Sequence, residues 1–305
     1  MIDFVGKRYK FFLVSGVLIL VGIISLAVFR LQPGVDFASG SAITIRFDRP
    51  IDQGDLRTAL LNLGYDQAII QKTPDGDFFI RVREISPGEK ESLTTGLEDK
   101  FGKVTVLDFY SVSPVIAART GRDAGIAIIV AAVFILAYIA WAFRKMPRPF
   151  RWGTCAIIPI LHDVFIVLTV FSILGWLLGV EVDALFITGV LAVVGYSINN
   201  TIVVFDRIRD NMTRGISRDF ATVVNSSVLE TFTRSLNTSL TTLFVILALY
   251  LLGGVTIRNF MLVLLVGVVV GTYSASCIAP QLLVVWDRGE WGHFFSWLPI
   301  GKRKS

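Results

Sequence analysis

Only two cysteines and two histidines occur in this sequence: Cys155, Cys277, His162 and His293. Both cysteines stand in apolar runs, so nothing points to a disulfide framework or a thiolate metal site, and two histidines give no histidine-rich metal centre. Charge is also scarce. Asp, Glu, Lys and Arg make up 17% of the 305 residues, against 53% hydrophobic. A soluble domain needs more charge to solvate its surface, whereas the bilayer core accepts any apolar stretch of roughly 20 residues. The net charge of +5 is therefore read against a membrane, where basic residues set orientation and meet anionic headgroups, and not as a nucleic-acid footprint.

Six apolar stretches are long enough to cross hydrocarbon: Phe11–Phe29, Ala124–Phe143, Gly153–Gly175, Ala184–Phe205, Leu236–Leu252 and Met261–Val285. The first is too long for a cleavable signal peptide, and Arg30-Leu31-Gln32-Pro33 does not resemble a small-residue cleavage site, so it reads as an anchor. Basic residues cluster at Lys7, Arg8 and Lys10, along Arg144–Arg151, at Arg207, Arg209, Arg214 and Arg218, and at Lys302, Arg303 and Lys304. The opposite short loops are Leu177–Asp183, with none, and Gly253–Asn259, with Arg258 alone. Positive-inside logic puts both termini in the cytoplasm and residues 30–123 outside. The expected division is 1–29 for the N-terminus and first span, 30–123 for an external domain, 124–285 for five further spans, and 286–305 for a basic cytoplasmic tail.

The external segment has soluble character. Ser41–Phe47 alternates with period two, as a half-buried strand does, and Asp55–Leu63 has helical spacing. Strands Gln67–Lys72 and Phe78–Val82 flank a turn at Thr73-Pro74-Asp75-Gly76. Ser86-Pro87-Gly88-Glu89 opens a helix to Phe101, with Ser86 and Glu89 able to form a capping box, and Val104–Phe109 is a last strand. The order βαββαβ suggests a small ferredoxin-like α+β sandwich. Asp52, Asp55, Asp75 and Glu89 read as turn and cap residues, so this domain looks like a folding or gripping module and not an enzyme.

Inside the membrane an ionisable side chain is costly unless partnered. The third span carries His162-Asp163, and the fourth carries Gly195-Tyr196-Ser197-Ile198-Asn199-Asn200-Thr201. Arg234 stands at the mouth of the fifth, followed by Asn237, Thr238, Ser239, Thr241 and Thr242, and the sixth has Thr272, Tyr273, Ser274 and Ser276. Tyr196 and Asn200 lie four apart, as do Ser197 and Thr201, so the fourth span presents a polar stripe. For the hydroxyls, interhelical bonding worth about 0.6 kcal/mol each is the plain account. Asp163 is either a proton carrier or a structural anchor bonded to a facing hydroxyl, and His162 either relays protons or bonds a neighbouring helix in its neutral form. Asp206–Asn211 begins the longest cytoplasmic connection, running to Thr233. Within it Phe220, Val223, Val224, Val228 and Leu229 recur at helical spacing, which predicts an amphipathic helix at the interface, bracing the bundle or meeting a partner.

Gly195–Asn199 followed by Thr201–Arg209, including Asp206-Arg207, resembles the fourth-span signature of the SecF subunits of the SecD/SecF protein-export family. Gly34-Val35-Asp36-Phe37 resembles that family's entry motif after the first span. Ser113-Pro114-Val115, His162-Asp163-Val164, Leu236–Thr242 and Leu251–Gly254 match further motifs in order. The resemblance implies a six-helix bundle akin to proton-driven exporters of the resistance-nodulation-division type. It further implies use of the proton-motive force to help preproteins across the plasma membrane, with no cofactor. As partners it implies a SecD-like subunit, the SecYEG channel, YajC, the translocating preprotein and membrane lipids, and no nucleic acid.

One departure bears on mechanism. Where the family places a proton-carrying aspartate in the fourth span, this sequence has Asn200, which cannot titrate. The arginine that faces it in the family is retained as Arg234, which then needs another counter-ion, from a partner or from Asp163. Either part of the relay has passed to the partner or the residue holds one state of the cycle. Ala38-Ser39-Gly40 also stands where the family has a bulkier polar residue and paired glycines. Two rival classes remain beside the export subunit: half of an independent lipid or small-molecule exporter, and a proton-inert structural subunit.

Overall fold

The structure is a computed structural model, and it describes residues 3–73, 76–144, 146, 148–254 and 257–290. The chain divides into two compact units. One comprises Met1–Arg30, Ile128–Ile173 and Thr188–Ser305, and the other comprises Leu31–Ala127 with Leu174–Ile187.

Helix α1 (Arg8–Val28) is followed by a single turn, α2 (Val35–Ala38), and strand β1 (Gly40–Phe47). Then come α3 (Gln53–Asn62), β2 (Ile69–Lys72), β3 (Phe78–Val82), α4 (Pro87–Phe101) and β4 (Val104–Val112). The four strands form one antiparallel sheet in the order β2-β3-β1-β4, the arrangement that a βαββαβ chain of ferredoxin type makes. Alternation decides the faces. Ile43 and Ile45 of β1, Ile70 of β2, and Phe78 and Ile80 of β3 point to one side, where Leu56 and Leu60 of α3 and Leu93 and Leu97 of α4 close a buried core. Both helix starts are capped as expected. Asp52 accepts from the Gly54 amide, and Ser86 and Glu89 form a complete capping box. Pro74 and Asp75 of the expected turn lie outside the described residues, while the Gly76 amide donates to Thr73 O at 3.0 Å.

The turn from α2 into β1 carries local strain. Gly40 has φ +124°, and a Cβ there would stand 2.6 Å from the Val82 carbonyl oxygen, so only glycine fits. Ser39 has φ 62° and ψ 168°, a region that glycine occupies freely and a serine does not. Ser39→Gly is therefore expected to raise stability by about 1 kcal/mol. Thermal unfolding of the purified protein measures this; a lower midpoint would contradict it.

The spanning helices follow: α5 (Pro114–Ala142), α6 (Pro149–Leu178), α7 (Ala184–Arg214), α8 (Phe220–Leu252), α9 (Arg258–Cys277) and α10 (Ala279–Arg288). Six helical segments among the described residues are long and apolar enough to cross a membrane, with Arg258–Arg288 counted as one. The break inside that last span falls at Ile278, two residues before Pro280, which brings no amide hydrogen. Apolar residues exposed on α1, such as Leu13 and Leu20, and on α5, such as Phe134 and Trp141, are suited to lipid.

Two expectations about the connection after the fourth span are corrected. Helix α7 does not end at Phe205 but continues to Arg214, supported by the pairs Arg207–Asp210 and Arg214–Asp210 one turn apart, and it stops before Gly215 at φ +66°. No separate interfacial helix follows. Asp219 caps α8 by accepting from the Thr222 hydroxyl and amide, bonds that hold its carboxyl below the usual range, and Phe220–Leu229 forms the first turns of the fifth spanning helix. Val223, Val224 and Val228 are buried against protein, in the cluster with Phe4, Val5, Leu282 and Leu283. The apolar stripe was visible in sequence. What covers it was not. The basic tail beyond Glu290 and His293 lie outside the described residues.

Candidate intramembrane polar site

Close approach of α7 and α9 creates the site. A Cβ at Gly267 would come within 2.0 Å of a Val193 methyl, and one at Gly271 would meet Ser197 at 3.3 Å. Small residues of this kind let spanning helices pack backbone to backbone. That contact brings Ser197 of α7 and Ser274 of α9 onto Asp163 of α6, which is fully buried. Ser197 Oγ donates to Asp163 Oδ2 at 2.5 Å and Ser274 Oγ to the same oxygen at 2.6 Å. His162 Nδ1 stands 2.9 Å from Asp163 Oδ1. Three helices thus converge on one carboxylate.

An imidazole nitrogen and a carboxylate oxygen at this distance are hydrogen-bonded through one proton, and the two serine hydroxyls donate to the other carboxylate oxygen. His162 Nε2 is buried and has no hydrogen-bond partner among the described residues. The same holds for Asn200 Nδ2, Thr201 Oγ1 and both side-chain polar atoms of Gln281. Unpaired buried polar atoms on spanning helices are uncommon and call for an explanation in water or function. Gln281 was not singled out from sequence; a lone amide in the second half of the last span was the available signal.

A second bonded chain joins α7, α8 and α9. Tyr196 Oη donates to Ser239 Oγ at 2.8 Å, and Ser239 Oγ meets Thr272 Oγ1 at 2.6 Å. These hydroxyls behave as the interhelical bonds expected of them. Tyr273 belongs elsewhere, donating to Phe11 O on α1 at 2.9 Å.

Asn199 and Arg234 do not join the buried site. Both are exposed, and Arg234 makes no ion pair among the described residues, so Asp163 is not its counter-ion within this chain. Exposure repeats along α8 at Arg234, Asn237, Thr238 and Thr241, and along α7 at Ala192, Gly195, Asn199 and Asp206. At Asp206 and Arg234 these rows border an open groove of about 670 Å³, also lined by Arg207, Asp210 and Thr231, among others. Arg207 pairs with Glu230 and with Asp210, and Asp206 with Arg209. The entry-motif residues sit in the other unit. The Gly34 amide donates to Val182 O at 2.8 Å, Asp36 Oδ2 accepts from the Ala184 amide at 2.8 Å, and Phe37 is half-buried.

Fold and site together define a polytopic membrane protein, a six-span helical bundle with a buried carboxylate at a three-helix junction and a ferredoxin-like domain after the first span. Residues 92–289 match the family described as protein export membrane protein SecD/SecF, C-terminal, and residues 24–51 match the SecD/SecF GG motif. The chain belongs to the SecD/SecF family. It is 44% identical to the protein translocase subunit SecF of Thermobaculum terrenum over 97% of both chains. It is 35% identical to the protein translocase subunit SecDF of Bacillus subtilis, covering 94% of this chain and 38% of that longer one. Among solved structures, SecDF from Thermus thermophilus, a translocon-associated membrane protein, superposes with a TM-score of 0.84 at 32% identity, over 94% of this chain and 39% of that one.

Proposed function

We infer that this chain is the SecF-type accessory subunit of the bacterial Sec translocon, a multi-pass protein of the plasma membrane that assists preprotein export. Its relationship to SecF and SecDF proteins over nearly its whole length supports that role. In SecDF relatives one polypeptide is more than twice as long as this chain, so a SecD-like partner supplies the second half. Both termini face the cytoplasm and the sheet domain faces outward, where it handles the emerging preprotein beside SecYEG and YajC.

The observation that carries the rest is the polar face of α7 and α8. Arg234, Asn237 and Asn199 are exposed on spanning helices, where lipid would leave them unsatisfied. A facing bundle with a carboxylate opposite Arg234 resolves this, and it is the face through which the proton-motive force is shared between subunits. Within this chain we assign the proton role to the hydrogen-bonded His162–Asp163 pair, because Asn200 cannot ionise. Asn200→Asp adds a buried carboxylate on α7 to the one that Asp163 supplies on α6. We expect it to steepen the dependence of preprotein export on the proton gradient in membrane vesicles. An unchanged dependence would mean that position 200 only packs.

A further inference from the structure

The side of the external sheet opposite its two helices is not left bare. Register places Ile69, Arg81, Ala42 and Tyr110 in one row across that face, and Gln71, Phe79, Thr44 and Asp108 in the next. The segment that links α6 to α7 lies against it. Gln71 Nε2 donates to Gly179 O at 2.6 Å. Arg81 Nη1 donates to Pro33 O at 2.6 Å and pairs with Glu181 at 3.0 Å, with the two side chains 18% and 12% exposed. The strand-like piece before α2 then pairs with the same segment: Gly34 N donates to Val182 O at 2.8 Å and Val182 N to Gln32 O at 2.7 Å.

The start of α7 is held from two directions. Asp183, its local cap, accepts from the Phe186 amide at 2.7 Å. Asp36, 148 residues earlier in sequence, accepts from the Ala184 amide at 2.8 Å. The first amides of a helix have no partner of their own, and a neighbouring side chain usually serves them. A cap contributed from so far away ties the register of α7 to the sheet as well as to its own turn. Asp36, Glu181, Asp183 and Asp108 all bear on the Tyr110 hydroxyl, and burial with these acids pushes it up. Arg81 is the cation in direct contact with this acidic group, through Glu181.

We propose that Asp36, Arg81 and Glu181 form a joint that locks the outer end of α7 to the external sheet, so that a shift of α7 is delivered to the external domain. Asp36 and Arg81 are positioning residues here; neither touches the proton or the preprotein. From this joint α7 runs on to Ser197 and Asn200. The entry motif gains a physical role by the same argument: Gly34 lets the chain pass close to Val182, where a Cβ would stand 3.1 Å from its carbonyl oxygen, and Asp36 supplies the long-range cap. The transmission half of this proposal rests on the export role above.

The test uses the full chain co-expressed with its SecD-like partner. Arg81→Glu, Glu181→Arg, the double exchange and Asp36→Ala are compared by amide hydrogen exchange across residues 182–187 and by gradient-dependent export. Each single variant is expected to speed exchange in that segment at least tenfold and to reduce export; the double exchange, by restoring the pair, recovers both. Unchanged exchange in the single variants would overturn the joint. Faster exchange with undiminished export would overturn its role in transmission. Failure of the export reading itself would show in the wild-type complex, as no gradient-dependent export before any variant is compared, and the exchange measurement would still decide the joint.

Discussion

Asp163→Leu is expected to destabilise the protein by about 2 kcal/mol, while Asp163→Asn costs roughly 0.5 kcal/mol or less but removes the gradient-dependent part of export. Leucine fills the volume and strands three polar groups: the Ser197 and Ser274 hydroxyls and the His162 ring nitrogen, all now bonded to the carboxylate. Asparagine reproduces each bond. Its carbonyl oxygen accepts from both serines, and its amide donates to His162 Nδ1 in the neutral tautomer that carries its proton on Nε2. The two variants therefore separate the packing role of Asp163 from the proton role. Thermal unfolding of the purified complex measures the first, and export into vesicles with and without a protonophore measures the second. Asp163→Asn with full gradient dependence would make the residue a structural hub, with the proton carried by the partner.

The second large effect concerns assembly. Gly195→Leu is expected to leave the folding of this chain unchanged and to cut recovery of the SecD-like partner at least tenfold. Its own helix backbone and chain neighbours apart, no described atom lies within 4 Å of a Cβ built on Gly195, so the new side chain starts into open space. It would stand at the centre of the exposed stripe Ala192, Gly195, Asn199, where close helix approach depends on small residues. Arg234→Leu should weaken the same association, because a desolvated cation facing a carboxylate contributes only while both are present. Undiminished co-purification of the partner with both variants would place the interface elsewhere.

Much of this architecture was legible in the residues. Hydropathy and length found the six spans, and period-two alternation with a capping box found the four-stranded sheet and its helices. Helix ends were less visible, for a physical reason. Hydropathy falls where a helix leaves hydrocarbon, but the helix itself continues where ion pairs one turn apart sustain it, as from Asp206 to Arg214. Periodicity likewise marked Phe220–Leu229 as an apolar stripe without saying whether lipid or protein covers it. At the site, composition singled out Asp163 and His162, because charge in a span is costly. Which hydroxyls bind Asp163 depended on the α7–α9 approach at Gly267 and Gly271, a tertiary fact. Of the two counter-ions open to Arg234 in sequence, a partner or Asp163, the second is not met within this chain, because Arg234 is exposed and Asp163 is fully buried. The Arg81–Glu181 contact joins a strand to a loop that the span count had treated only as a short turn.

The central claim is that this chain is half of a two-bundle unit whose polar α7–α8 face meets the partner. Cysteine cross-linking in native membranes tests it most directly, with one cysteine at Gly195 and single cysteines stepped along the partner's spanning helices. The account predicts cross-links from position 195 at helical spacing on one partner helix, and none from a cysteine at Phe134 on the lipid-facing side of α5. No cross-link from position 195, or equal cross-linking from both positions, would contradict it.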